Sequence, residues 1–270
     1  VYSAEMQEKN KESEKMKFKK ALKKGIIKKD WYAYWLEQEF LWFIRLGANK
    51  DKFRIRQHLE DEKSHYATDT WDLEYKFPFG WKELQGISDR GDFDLKQHEK
   101  FSGEKMEIIK SDGKRIIPHV VAEPSQGIER AMLVFLFDSY FYDKERENIV
   151  LRLSPQLAPI KAAVFPIVKK LRYEKIAKDI VKELSKNWNV RYDKSGSIGR
   201  RYSRNDEIGT PYCITIDEES EKGKDVTIRD RDSTRQIRVK IVDLKDILGK
   251  LINGEVEFEK AGKVVETRKK

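Results

Sequence analysis

Cysteine is nearly absent: Cys213 is the only one in 270 residues. A lone cysteine excludes an intramolecular disulfide and any multi-cysteine zinc site, so a cytoplasmic setting is the expectation. Long apolar runs are missing too. Nothing approaches the ~18 to 20 apolar residues that span a bilayer, and Val1-Tyr2-Ser3 followed by a charged stretch is not a signal peptide. No GxGxxG or GxxxxGK(S/T) occurs. His58, His65, His98 and His119 form no i, i+4 pair around a glutamate, and Cys213 has no His/Asn companion at a diagnostic spacing. Metalloprotease, cysteine protease and dinucleotide-enzyme readings drop out. The chain also lacks internal repeats and low-complexity tracts.

What the chain does have is aromatic bulk and charge. Six Trp, 13 Phe and 11 Tyr exclude wholesale disorder, and the length suits one large or two ordinary domains. Residues 1–150 carry 28 basic and 28 acidic side chains, and residues 151–270 carry 28 and 19, so the net charge of +9 lies in the second part. Such asymmetry points to a polyanion partner, nucleic acid before membrane. A solvated lysine-rich surface explains it equally well.

Residues 5–30 read as an exposed helical or mobile segment. WYAYWLEQEFLWFIRL (31–46), apolar nearly all round and followed by Gly47, predicts a helix buried on more than one side. Residues 52–58, 70–77, 81–88 and 116–122 read as strands, favouring an antiparallel sheet, and 128–142 as a second, heavily buried helix. After about residue 150, strands at 162–168, 189–193, 211–216 and 225–229 alternate with helices at 172–187, 197–208 and 243–252. That pattern predicts a compact α/β unit with a partly parallel sheet and a boundary near Leu153 to Pro159.

Three clusters could carry chemistry. In the first, Glu83, Gln85, Ser88 and Arg90 project from a strand whose other residues are apolar, either toward a ligand or as a solvent-facing edge. The second, Glu123-Pro124-Ser125-Gln126-Gly127-Ile128-Glu129-Arg130, runs from a strand end into a helix. Ser125 is a candidate N-cap, and Arg130 sits in a first turn where a cation opposes the helix dipole, which suits an anionic ligand or a surface ion pair. The third spans Ser195 to Arg204, with Arg229 and Arg231 downstream. Its arginines could hold RNA phosphates and Tyr202 could stack on a base, or they could pair with Asp206, Glu207, Asp230 and Asp232 in a structural network.

Together these segments resemble a known family. RIRQHLEDEKSHYATDTWDLEY, GWKELQGISDRGDFDLKQH, PHVVAEPSQGIER, LSPQLAPIKAAVFPIV, YDKSGSIGRRYSRNDEIGTPYCITID and VTIRDRDSTRQIR follow the order and spacing of glycyl-tRNA synthetases of the archaeal and eukaryotic type, from about residue 21 to 252. The resemblance implies a class II enzyme: an antiparallel catalytic sheet flanked by helices, here partial, followed by an α/β mixed-sheet anticodon-binding domain. The expected parts are a lysine-rich insertion or linker (1–30), the C-terminal part of the catalytic domain (31–152), the anticodon-binding domain (153–252) and a charged tail (253–270).

The activity it implies is ATP-dependent attachment of glycine to tRNA(Gly) through a glycyl adenylate, with Mg2+ accompanying ATP. Glu123, Pro124, Ser125, Gln126, Gly127 and Arg90 match glycine-binding positions. Glu83, Leu84, Gly127, Ile128, Glu129 and Arg130 match the ATP site, Glu83 also as a magnesium contact through ATP. Arg130 and Glu83 are the catalytic candidates, and Arg200, Arg201, Arg204, Arg229 and Arg231 the candidates for tRNA contact. The first two class II motifs are not in this sequence and are expected upstream of Val1, with a homodimer formed through those segments or a complementing chain supplying them. The rival reading is a non-catalytic synthetase paralogue or fragment that binds nucleic acid, like the accessory subunit of mitochondrial DNA polymerase.

Overall fold

The computed structural model describes residues 1–265, so 266–270 of the expected tail lie outside the described residues. The chain divides into two compact units, Val1–Val134 and Phe135–Lys270.

The first unit opens with two short helices, α1 (Ala4–Glu8) and α2 (Phe18–Lys23), then α3 (Asp30–Arg45). Ala21 and Ile27 are fully buried, so this lysine-rich stretch is anchored by its few apolar residues. Strands β1 (Phe53–Gln57), β2 (Asp69–Phe77) and β3 (Gly80–Asp89) are followed by α4 (Phe93–Ser102), the two-residue strands β4 (Ile108–Ile109) and β5 (Arg115–Ile116), and β6 (Glu123–Gln126). The main sheet is antiparallel throughout, in the order β1-β2-β3-β6. The strand expected over 116–122 is largely absent: β5 pairs only with β4, and Val120 makes a single bridge to Gly91.

Helix α3 runs without Gly or Pro to Gly47, whose φ of +100° suits glycine and ends the helix. Tyr32, Ala33, Leu36 and Phe43 are buried, and the Tyr32 hydroxyl donates to the Ile87 carbonyl at 2.5 Å. Trp31, Tyr34, Trp35 and Trp42 are exposed, so α3 is buried on one side rather than several. The same correction applies to α5 (Ile128–Ser139), in which Ala131, Val134 and Phe135 are buried but Ile128, Met132, Leu133, Leu136 and Phe137 are exposed. An apolar run measures a capacity for burial; it does not supply the covering element. The helix also stops at Ser139 rather than 142, because Tyr140–Asp143 turns into strand β7.

In the second unit β7 forms a hairpin with β8 (Asn148–Leu151) that packs on α7 (Ile198–Glu207). Residues 140–151 therefore associate with the second unit, and the division falls within α5, earlier than the change of sequence texture near 153. The remaining elements are β9 (Ala162–Pro166), α6 (Leu171–Leu184), β10 (Val190–Tyr192), β11 (Tyr212–Ile216), α8 (Glu218–Gly223), β12 (Asp225–Asp230), β13 (Gln236–Lys240), α9 (Leu244–Asn253) and β14 (Lys263–Val265). They build one mixed sheet, β10-β9-β11-β12-β13-β14, in which β10 and β11 run parallel to β9 and the other pairs are antiparallel. α6 and α9 cover one face through Tyr173, Ala177, Ile180, Leu248 and Leu251, while Ile198 and Tyr202 of α7 cover Ala163, Phe165 and Cys213 on the other. Burial pushes the Cys213 thiol pKa up, consistent with an inert packing residue. Among the described residues no helix is long and apolar enough to cross a membrane.

Candidate active site

Strand register sorts the first sheet into an apolar and a polar face, since residues directly opposite share a face. Ile55, Leu73 and Ile87 lie on the face that packs toward α3. On the other face polar groups line up in rows across the strands. Arg56, Asp72, Gly86 and Ser125 form one row. Thr70, Ser88 and Glu123 form the next, with the Thr70 and Ser88 hydroxyls 3.2 Å apart. Arg54 and Glu74 form a third and are joined by a salt bridge.

A β-bulge interrupts β3. Gln85 pairs with Leu73 and Glu83 with Glu74, which leaves Leu84 as the extra residue. Glu83 therefore falls on the polar face and Gln85 on the apolar one, although a regular strand would place them together. Gln85 is 2% exposed and donates to Glu39 of α3 at 2.8 Å. Leu84 is buried, so it can offer a ligand only its backbone.

Two of the sequence clusters meet here. Arg90 donates to Glu123 at 2.9 Å and grips both oxygens of Asp94 at 2.5 and 2.6 Å, with its guanidinium 3.9 Å from the centre of the Tyr66 ring. The hydrogen bonds from Asp94, then Glu123, raise the Arg90 pKa, and Arg90 in turn lowers that of Asp94. Arg130, in the first turn of α5, donates to the Glu83 backbone carbonyl at 2.9 Å and lies 4.0 Å from the Glu83 carboxylate. Glu83, Glu123 and Arg130 remain about half exposed. Pro124 pairs with Ile87, Ser125 with Gly86 and Gln126 with Gln85, and Gly127, beside the Arg130 side chain, leads into α5. Ile128 and Glu129 are exposed.

Several polar-face residues escaped the sequence reading. His58 Nε2 lies 2.9 Å from the buried Asp72, with Arg56 at 3.8 Å. The hydrogen bond to Asp72 raises the His58 pKa against the opposing effect of burial. The signal was present as period-2 alternation: Arg54, Arg56 and His58 on one strand, Thr70, Asp72 and Glu74 on the next. Asp94 and Tyr66, which steady Arg90, lie outside any strand pattern.

The third cluster resolves differently. Arg201 is buried and donates to the Pro166 and Gly196 carbonyls at 2.6 and 2.9 Å. Arg229 makes a buried two-pronged pair with Asp206 at 2.8 and 2.9 Å and lies over the Tyr202 ring. Arg231 donates to the Gly209 and Leu153 carbonyls and to Asp232. Arg204 binds Asp193 and the Ser195 carbonyl. Four of the five arginines thus hold the unit together, and Arg200 alone among them is exposed.

Residues 161–251 match the family model described as the anticodon binding domain. The chain is 47% identical over 225 residues to the glycine–tRNA ligase of Clostridium acetobutylicum, covering 81% of this chain and 48% of that protein. It is 46% identical over 234 residues to that of Caldanaerobacter subterraneus subsp. tengcongensis, covering 85% and 49%. With that of Thermobifida fusca it shares 42% over 236 residues, covering 83% and 51%. The chain spans about half the length of these curated relatives. Over some four-fifths of its own length, then, this chain is similar to half of a bacterial glycine–tRNA ligase, and its second unit contains the match to an anticodon binding domain.

Proposed function

We propose that the chain forms part of a class II glycine–tRNA ligase, carrying the third class II motif and the anticodon-binding domain. The observation that carries this reading is the pairing of Arg90 with Glu123 and of Arg130 with Glu83 on either side of the Gly86–Ser125 row of a polar sheet face. An idle pocket has no chemical reason to keep both pairs beside Ser125. The finer features follow the sequence resemblance: an enzyme of the archaeal and eukaryotic type, although the relatives named above are bacterial, acting in the cytoplasm. Residues 31–152 would complete the catalytic fold and 153–252 would bind tRNA(Gly).

The chemistry fits the residue types. Glu123 keeps one carboxylate oxygen for the glycine ammonium, Ser125 adds a small acceptor, and Arg90 retains an N–H on each terminal nitrogen for the glycine carboxylate. A pocket narrowed by neighbouring backbone would exclude larger amino acids by steric conflict, which discriminates more strongly than the ~1 to 3 kcal/mol that separates a ligand from one lacking a methylene. A glycine carboxylate oxygen attacks the α-phosphorus of ATP and pyrophosphate leaves. A terminal tRNA ribose hydroxyl then attacks the adenylate carbonyl and AMP leaves. Arg130 positions and neutralises phosphate oxygens. No general base is assigned. Among the described residues no group of three or more His, Cys, Asp or Glu side chains is placed to hold a metal ion. Magnesium would arrive with ATP, with Glu83 as a contact through it.

The exposed aromatic side of α3 lies beside Gln126 on β6, the edge strand of the sheet. Both features support completion of the catalytic fold by segments holding the first two class II motifs, from the same protein, a homodimer or a complementing chain. The decisive experiment is glycine-dependent ATP–pyrophosphate exchange and tRNA glycylation by the complete enzyme. Glu123→Ala and Arg130→Ala should each lower activity by at least 100-fold, on the scale of losing a positioned transition-state contact. Normal glycylation by either variant would overturn the assignment.

A further inference from the structure

We propose that Asp89, held by Lys29, is a positioning residue for Arg90: it fixes the turn and the loop that aim the Arg90 guanidinium at the carboxylate of glycine. The proposal rests on the reading of Arg90 as the residue that binds that carboxylate, and it gives the lysine-rich stretch before α3 a part in the site.

Asp89 and Arg90 are neighbours in sequence, yet only Arg90 reaches the polar face. Asp89 is the last residue of β3 and stands opposite Asp69 of β2, so the two carboxylates share a face. By alternation that is the face on which Ile87 packs toward α3. Like charges directly opposite each other weaken a strand pair, and a buried carboxylate needs a partner. Asp89 is 1% exposed, and Lys29, the residue before α3, forms a salt bridge with it. Asp69 is served by neutral donors instead, the Gln57 amide and the Trp71 indole N–H, each at 3.0 Å. Among the described residues Lys29 is the one cation paired with either carboxylate. Lys28 and Lys63 line the same cavity of about 170 Å³ without bridging to them.

From this pair a chain of bonds runs to the guanidinium. The Asp89 carboxylate accepts the Gly91 N–H at 3.2 Å, closing a tight turn with Arg90 at its centre. Gly91 has a φ of +58°, which suits glycine. The Asp89 carbonyl accepts from the Thr68 N–H at 2.7 Å and the Thr68 hydroxyl at 3.1 Å. Two residues earlier is Tyr66, whose ring the Arg90 guanidinium covers. Asp89 thus anchors both the turn that bears Arg90 and the loop that bears its stacking partner. On the far side, the Arg90 N–H bonds the Val120 carbonyl at 3.0 Å, and the Val120 N–H bonds the Gly91 carbonyl at 2.8 Å. With the backbone held this way, Asp94 and Glu123 set the direction of the side chain. Two-pronged binding of a carboxylate requires the fork to lie within about 0.5 Å of its productive place. If Lys29 loses its charge, repulsion from Asp69 acts on the very carboxylate that holds Gly91.

The test uses the complete enzyme and glycine-dependent ATP–pyrophosphate exchange, with circular dichroism to verify that each variant folds. Asp89→Asn and Lys29→Met should each raise KM for glycine about tenfold, part of the roughly 100-fold that a 1 Å misplacement can cost. KM for ATP should stay within about twofold, because the ATP candidates Glu83 and Arg130 pair with each other instead. Lys29→Arg should restore the glycine value, and Lys28→Met, in the same cavity, should leave it unchanged. In an Arg90→Lys background, Asp89→Asn should add no more than about twofold, since a flexible point charge depends little on where the turn places it. Equal losses for glycine and ATP, or an undiminished effect of Asp89→Asn in that background, would mean that Asp89 only supports the fold and would overturn the proposal. An unchanged glycine KM in Asp89→Asn and Lys29→Met, with a raised one in Arg90→Lys, would overturn it too while leaving the glycine site intact. An unchanged glycine KM in Arg90→Lys itself would defeat the assignment of Arg90 and the proposal with it.

Discussion

At the scale of single residues, the polar face is held by pairs whose removal has a definite sign. His58 has a raised pKa because Asp72 accepts its hydrogen bond. A group whose folded pKa lies above its unfolded value contributes stability that is fully present below the unfolded value, here about 6.5, and lost as pH rises through the folded one. Urea unfolding between about pH 6 and 9 should therefore show a stability component that falls with rising pH and disappears in His58→Gln. In the second unit, Asp206→Ala strands the buried Arg229 guanidinium and should cost about 3 to 5 kcal/mol, measured by thermal or urea unfolding. The structural role of Arg229 with Asp206 stood in the sequence as one of two readings, whereas the pairing of His58 with Asp72 was not read. Alternation shows that Arg56 and Asp72 share a face without showing which acid meets which base. Burial decided Arg201, Arg229 and Arg231, and burial depends on elements far away in the chain.

Element by element, β1 and β2 were readable because apolar and polar residues alternate along them and turn residues bound them, whereas the strand read over 116–122 is largely absent and β6, β7, β8, β13 and β14 were not read as strands. α3 and α5 were read as helices correctly and as heavily buried incorrectly. Trp35 and Leu36 are adjacent in sequence and equally apolar, yet only Leu36 is covered. Leu36→Ala should destabilise the chain by about 2 to 5 kcal/mol, whereas Trp35→Gln should change urea stability by no more than about 0.5 kcal/mol in the chain alone. A large loss from Trp35→Gln would mean that the exposed side of α3 is already packed. The β3 bulge was invisible to periodicity, since WKELQG gives no sign that Leu84 is the additional residue. That is why Glu83 and Gln85, read as one polar group, part to opposite faces.

For the molecule as a whole, the surplus of positive charge and the match to an anticodon binding domain fall in the same part of the chain, while the polar face of the first sheet ends at the edge strand β6. The 270-residue chain should accordingly bind tRNA(Gly) with steep salt dependence, yet catalyse no glycine-dependent pyrophosphate exchange. Exchange by the chain alone would show that it needs no complementing segment. The extra residue in β3 has a further consequence. If Leu84 were deleted, Glu83 would still stand opposite Glu74 and Gln85 opposite Leu73, now in an unbroken ladder. Strand parity on either side would be conserved. A one-residue gap at this point in an alignment of homologous chains would therefore record a difference in local curvature and one core side chain, with no exchange between the polar-facing and core-facing sets.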